Sequence, residues 1–143
     1  MIRRPATTGD YMGMASGQLC RACGTKFTVR SGGGFFFDLL HCDTCGRTRN
    51  VGHQDMGDIH LGFVKGLPGP YAVIRSEMDR RIRAEYPGAP LSRDEYHVAV
   101  EATLDPCPCG GRYRYDAPAR CPTCRSTTEQ WDGDPTAPRM YYD

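Results

Sequence analysis

The chain of 143 residues has no apolar run approaching the roughly 18 residues that a membrane span requires. Residues 1–18 also lack the apolar core of a secretory leader. These absences predict a soluble, cytoplasmic protein. Lysine is nearly missing: Lys26 and Lys65 are the only two, and the other basic side chains are arginine. The formal net charge of +1 argues against a chain that binds polyanions over its whole surface. Signs of catalysis are equally scarce. No serine–histidine–acid arrangement or paired carboxylates stand out, and His41, His53, His60 and His97 have no motif around them. Glycines at 52, 57, 62, 66 and 69 match no phosphate-cradling pattern. His53, Asp55, Asp58 and His60 have no specific metal or acid–base spacing and read as solvated loop residues.

Cysteine is what the chain has. Eight fall into two groups along the sequence, Cys20-x-x-Cys23 with Cys42-x-x-Cys45, and Cys107-x-Cys109 with Cys121-x-x-Cys124. A Cys-x-x-Cys turn can point both sulfurs at one ion, and two such turns make the closed all-sulfur tetrahedron of structural zinc. Disulfides are the first rival reading, but they need an oxidising compartment and a cysteine content nearer about 8–10%. Iron is the second, although redox use ordinarily needs one site rather than two of different spacing. Zinc is the better reading, with each group in sequence forming one site. No cysteine is left over as a nucleophile. Eight thiolates and two divalent ions would take the net charge to about −3.

The residues around the cysteines resemble the zinc-ribbon superfamily with its rubredoxin-like knuckles. The first group reads Cys-Arg-Ala-Cys-Gly and Cys-Asp-Thr-Cys-Gly, with Gly24 and Gly46 placed where a positive φ lets the backbone approach the sulfurs. The second reads Cys-Pro-Cys-Gly-Gly and Cys-Pro-Thr-Cys-Arg. It departs from the pattern in the shortened Cys107–Cys109 spacing and in Arg125, which stands where glycine is expected. The resemblance covers roughly residues 19–50 and 106–126. It implies two structural zinc ions held by Cys20, Cys23, Cys42, Cys45, Cys107, Cys109, Cys121 and Cys124, and it is almost silent on function.

The expected fold is a small metal-bound α+β protein, two zinc ribbons of short antiparallel hairpins flanking a helical hairpin. Residues 1–18 form a disordered lead, with Met12 and Met14 as alternative starts. The first ribbon spans 19–50, pairing a strand over Thr25–Arg30 with a return strand over Phe35–His41. That return strand is apolar on both faces, so it must pack on something else, the chain's own helices or a partner. Residues 51–69 read as a glycine-rich loop with at most one short strand among Ile59, Leu61, Phe63 and Val64. Over 70–105 a helical hairpin follows. Tyr71, Ile74, Met78, Ile82 and Tyr86 form one stripe, and Ser92 with Glu95 is a capping box opening the second helix. A strand over His97–Leu104 is the competing assignment, outweighed by the cap. The second ribbon spans 106–126, and 127–143 is a tail whose Trp131, Tyr141 and Tyr142 dock on the domain or on a partner.

Two functions follow. The first is a non-catalytic protein-interaction module or adaptor with structural zinc, which would use the surplus apolar residues Phe35, Phe36 and Phe37. The alternative is nucleic-acid binding through Arg112, Tyr113, Arg114 and Tyr115 with Arg120 and Arg125, which combine charge with stacking surface. An enzyme is not expected, because four thiolates leave an ion no open position.

Overall fold

Strand β3, Phe37–Cys42, determines where the core forms. In its run Phe-Asp-Leu-Leu-His-Cys every residue after the first is buried, which requires cover on both faces. The computed structural model describes residues 13–69 and 75–142. In it β3 is the centre of a three-stranded antiparallel sheet, flanked by β4 (Thr48–Gly52) and β5 (Tyr113–Arg114). Four helices follow β4: α1 (His53–Met56), α2 (Asp58–Gly66), α3 (Ser76–Glu85) and α4 (Arg93–Thr103). Leu40 and Cys42 from β3 and Val51 from β4 share the core with Met56, Phe63, Tyr96 and Val100 from the helices.

A second sheet is built on β1 (Gly13–Cys20), with β2 (Lys26–Ser31) along one edge. Along the other edge lie β6 (Trp131–Gly133) beside Gln18–Cys20 and β7 (Met140–Tyr142) beside Gly13–Ala15. The aromatic tail therefore docks back on its own chain. From Gly13 onward the expected disordered lead is strand, while residues 1–12 lie outside the described part.

The expected first ribbon is not formed. Strand β2 pairs with β1, not with the run after it, and β3 belongs to the other sheet. Each of the first two Cys-x-x-Cys turns instead closes a hairpin by itself, Cys20–Cys23 between β1 and β2 and Cys42–Cys45 between β3 and β4.

The glycine-rich loop is mostly helix. Its glycines look like loop signals, but Gly62 and Gly66 lie inside α2 because residues 89–91 cross that helix at backbone distance. A Cβ on Gly62 would stand 3.1 Å from Leu91 Cγ, and one on Gly66 2.5 Å from the Leu91 carbonyl oxygen. The Leu91 N–H donates to the Gly62 carbonyl across the same contact, at 2.9 Å. Lys65 then extends from α2 to donate to the carbonyls of Tyr86 and Gly88, tying the end of α3.

Of the expected helical hairpin, Tyr71 and Ile74 fall outside the described residues. In α3 the fully buried residue is Asp79, while Met78 is 44% exposed, so the anticipated apolar stripe is only half used. Helix α4 matches expectation. Its capping box is complete, Glu95 N–H donating to Ser92 Oγ and Ser92 N–H to the Glu95 carboxylate, and Tyr96 and Val100 are buried.

Leu40 is wholly buried among β4, the helices and the metal-site residues. Leu40→Ala is expected to cost about 2–5 kcal/mol, read as a lowered denaturation midpoint.

Candidate metal centres and a buried polar core

The eight sulfurs converge in two quartets, Cys20 with Cys23, Cys121 and Cys124, and Cys42 with Cys45, Cys107 and Cys109. This corrects the expected grouping. Each site takes one turn from the N-terminal half and one from the C-terminal half, and the second quartet is nested inside the first along the chain. Sequence proximity misleads here because each early turn already spends its neighbouring strands on its own hairpin.

The two sites repeat one construction. The N–H of each leading cysteine bonds to a carbonyl beyond the turn: Cys20 to Thr25, Cys42 to Arg47 and Cys121 to Ser126, each five residues on, and Cys107 to Gly111 after the shortened spacing. At the same distance from the first ligand, the third strand joins the first strand's free edge. Cys20 sits opposite Trp131, and Cys42 opposite Tyr113. The residue after that cysteine donates to the carbonyl before the aromatic, Arg21 to Gln130 at 2.7 Å and Asp43 to Arg112 at 2.8 Å. Seven residues beyond each leading cysteine, Phe27 meets Trp131 edge-on at 4.9 Å, and Arg49 lies over Tyr113 at 5.8 Å. The two sites are thus ribbon-like units of the same build, an outer one spanning residues 20 to 124 and an inner one spanning 42 to 109.

Turn geometry explains the glycines. Gly24, Gly46 and Gly110 have positive φ, and Arg125 adopts the same conformation at φ 62° without the freedom of glycine. Gly111 is needed for space, since a Cβ there would lie 2.5 Å from Cys42 Sγ. A Cβ on Gly46 would meet the Arg120 backbone nitrogen at 2.6 Å, so the two ribbons touch at this point.

The geometry fits a metal ion. Across the turns, Cys20–Cys124 and Cys23–Cys121 sulfurs are 3.6 Å apart, Cys42–Cys109 3.5 Å and Cys45–Cys107 3.6 Å, and all four in each quartet lie within 4.8 Å. An ideal tetrahedron with metal–sulfur bonds of about 2.3 Å has edges of about 3.8 Å, whereas a disulfide closes to about 2.05 Å. The leading cysteine of every turn is buried; of the others, Cys23, Cys109 and Cys124 are exposed and Cys45 is half-buried. The Ser126 hydroxyl, 3.1 Å from Cys20, holds that thiol down at about 6 against the opposing effect of burial. Burial likewise works to raise Cys107, but the Cys109 N–H and the Tyr113 hydroxyl bring it to about 6. Cys45, chiefly through burial, is pushed up to about 12. A divalent cation would resolve these oppositions by favouring thiolate at all four ligands.

The expected arginine–tyrosine face is divided. Tyr113 is buried, and Tyr115 donates to Asp38 Oδ2 at 2.6 Å and stacks on His97 at 3.7 Å. Arg114 lies 3.6 Å from both Asp43 and Glu101, while Arg112 is exposed. Arg120 donates to the Arg125 carbonyl. Of the three phenylalanines, Phe36 is 55% exposed and Phe35 and Phe37 are half-buried.

The histidines reading as solvated loop are in fact core. His53 and His60 are buried and stacked at 4.0 Å, whereas Asp55 and Asp58 are exposed. Buried Arg75 points one guanidinium nitrogen at His53 Nδ1 and the other at His60 Nε2, each at 2.8 Å. Arginine carries only donors, so both facing nitrogens must be bare. His53 then donates from Nε2 to Asp38 Oδ1 at 3.1 Å, while Tyr96 and Tyr115 donate to Oδ2. Burial works to raise the Asp38 carboxyl, yet hydrogen bonds from His53, Tyr115 and Tyr96 hold it below the usual range. Asp79 lies 3.2 Å from Arg75. The sequence signal for this core is Asp38 itself, the one acid in a strand whose other residues, His41 apart, are apolar.

The fold and the quartets define a small α+β protein with two four-cysteine clusters, each of which could hold a metal ion. The chain belongs to the family described as Domain of unknown function (DUF8255), which matches residues 17–130, a stretch that includes both quartets and stops short of β6. No curated protein and no solved structure matches it.

Gly111→Ala is expected to push a methyl group into Cys42 and lower the inner site's metal affinity by at least about tenfold, seen by chelator competition. A second expectation concerns acid. Burial first, then His53 and Arg75, lowers His60 to about 3, whereas an unfolded histidine titrates near 6.5. Its contribution is full above about pH 6.5 and is lost as the pH falls toward 3, because the unfolded chain takes up a proton the native one refuses. His60→Gln, whose carbonyl can still accept from Arg75, should flatten the fall in denaturation midpoint between pH 6.5 and 4.5. Both proteins share the thiolate titrations, so the difference between them reports on His60.

Proposed function

We propose that the protein is a non-catalytic, zinc-binding interaction module whose two zinc ions are structural and whose partner is another protein. The observation that carries this reading is the closure of both quartets. Four thiolates fill a zinc ion's tetrahedron and leave no position for a reacting water. Asp38, His53 and His60, the side chains suited to acid–base work, are buried and bonded to one another or to Arg75. Zinc suits an all-thiolate tetrahedral set, and its lack of redox chemistry suits a structural role.

Phe36 supports the choice of a protein partner. It is exposed at the entrance to β3, and the Arg75 guanidinium lies 5.7 Å from its ring centre, an aromatic surface backed by a fixed cation. The nucleic-acid alternative has less support, because Tyr113 and Tyr115 are engaged in the core and Arg114 has acidic neighbours.

Elemental analysis of freshly purified protein should return two zinc ions per chain; one or none contradicts the metal assignment. Affinity capture from the native host, with nuclease present, should retain a protein partner that Phe36→Ser loses while keeping its zinc and its helical signal. Retention that nuclease abolishes, or firm binding to heparin at low salt, would favour nucleic acid instead.

A further inference from the structure

The two ribbons are built alike but stand in different surroundings. In the inner one, Cys42 and Cys107 belong to the hydrophobic core, and Cys45 packs against it. Only Cys109 is exposed there, so an oxidant reaching it finds no second exposed thiolate in its quartet. The outer quartet lies outside that core cluster and exposes two cysteines, Cys23 and Cys124, one from each turn. Their sulfurs are within 4.8 Å of each other. Each also has a hydroxyl close by, Thr25 Oγ1 3.1 Å from Cys23 and Ser126 Oγ 3.2 Å from Cys124.

Resting on the zinc assignment above, we propose that the outer centre is an oxidant-responsive zinc site. Hydrogen peroxide joins Cys23 to Cys124 and expels the outer ion, while the inner centre keeps its own. In the first step the Cys23 thiolate attacks one peroxide oxygen; the O–O bond breaks, hydroxide leaves and a sulfenic acid forms. The Cys124 thiolate then attacks that sulfur, the S–O bond breaks and a second hydroxide departs. Two electrons pass from the sulfurs to the peroxide, and two solvent protons convert the hydroxides to water. The ion is left with Cys20 and Cys121 alone and dissociates, and those two thiolates take up protons. The new bond links the same two turns that the metal had held, so the outer ribbon stays tied. A dithiol can reduce the bond and restore the site.

The test uses the full chain, first shown to carry two zinc ions. A count below two at this stage overturns the zinc reading itself, and so separates the two failures. Limiting peroxide is then added with a chromogenic zinc chelator present, and the cysteines are mapped by alkylation and mass spectrometry. The expected result is one ion released per chain, a single disulfide-linked peptide pair containing Cys23 and Cys124, and four unoxidised inner cysteines. The second ion should leave at least about tenfold more slowly. Dithiothreitol with added zinc should restore the count to two. Loss of both ions together, loss of neither, or oxidation first at Cys42, Cys45, Cys107 or Cys109 would overturn the proposal.

Discussion

Cysteines from the two halves of the chain converge in each quartet, and most of the architecture follows from that constraint. The inner quartet closes the loop from Cys45 to Cys107, which contains the four α-helices of the described residues, and the outer quartet closes the whole of that unit inside Cys23 to Cys121. Closing such long loops costs conformational entropy that short strands cannot offset alone. β5 has two residues and β6 three, too short to hold their places without the turns that precede them. Metal binding on this account is part of folding and does not decorate a fold already made.

The arginines cluster along the chain at the same turns. Four thiolates around one divalent ion leave a net charge of −2 at each centre. Arg21, Arg47, Arg112, Arg120 and Arg125 lie within or beside the metal-binding turns. Where their guanidinium groups are placed, they meet other partners: Arg21 donates to the Glu129 carbonyl and lies 3.6 Å from Asp132, and Arg120 donates to the Arg125 carbonyl. In the buried core near α3, one arginine bridges the two stacked imidazoles and Asp79.

Much of this was legible in the residues. All eight candidate ligands, the capping box of α4 and the two-sided burial of β3 follow from local pattern, whereas the tail's aromatics left open whether it docks on the domain or on a partner. The pairing of the turns was not, because spacing along the chain says which cysteines share a turn and not which turns share an ion. One sign of the true arrangement is present: Leu-Cys-Arg-Ala-Cys-Gly-Thr-Lys-Phe-Thr-Val and His-Cys-Asp-Thr-Cys-Gly-Arg-Thr-Arg-Asn-Val form an internal repeat, each a hairpin turn followed by its own strand. Gly62 and Gly66 misled for another reason. A glycine needed for close packing inside a helix looks the same in sequence as one that ends it. His53 and His60 become recognisable as core only once Arg75 and Asp38 are placed beside them.

The crossed pairing is the central claim, and cadmium-113 substitution tests it directly. Cadmium binds all-thiolate sites, and through-bond correlations connect each cadmium resonance to the β-protons of the cysteines that hold it. Two resonances are expected, one coupled to Cys20, Cys23, Cys121 and Cys124 and the other to Cys42, Cys45, Cys107 and Cys109. A resonance coupled to Cys20, Cys23, Cys42 and Cys45 together would contradict the account.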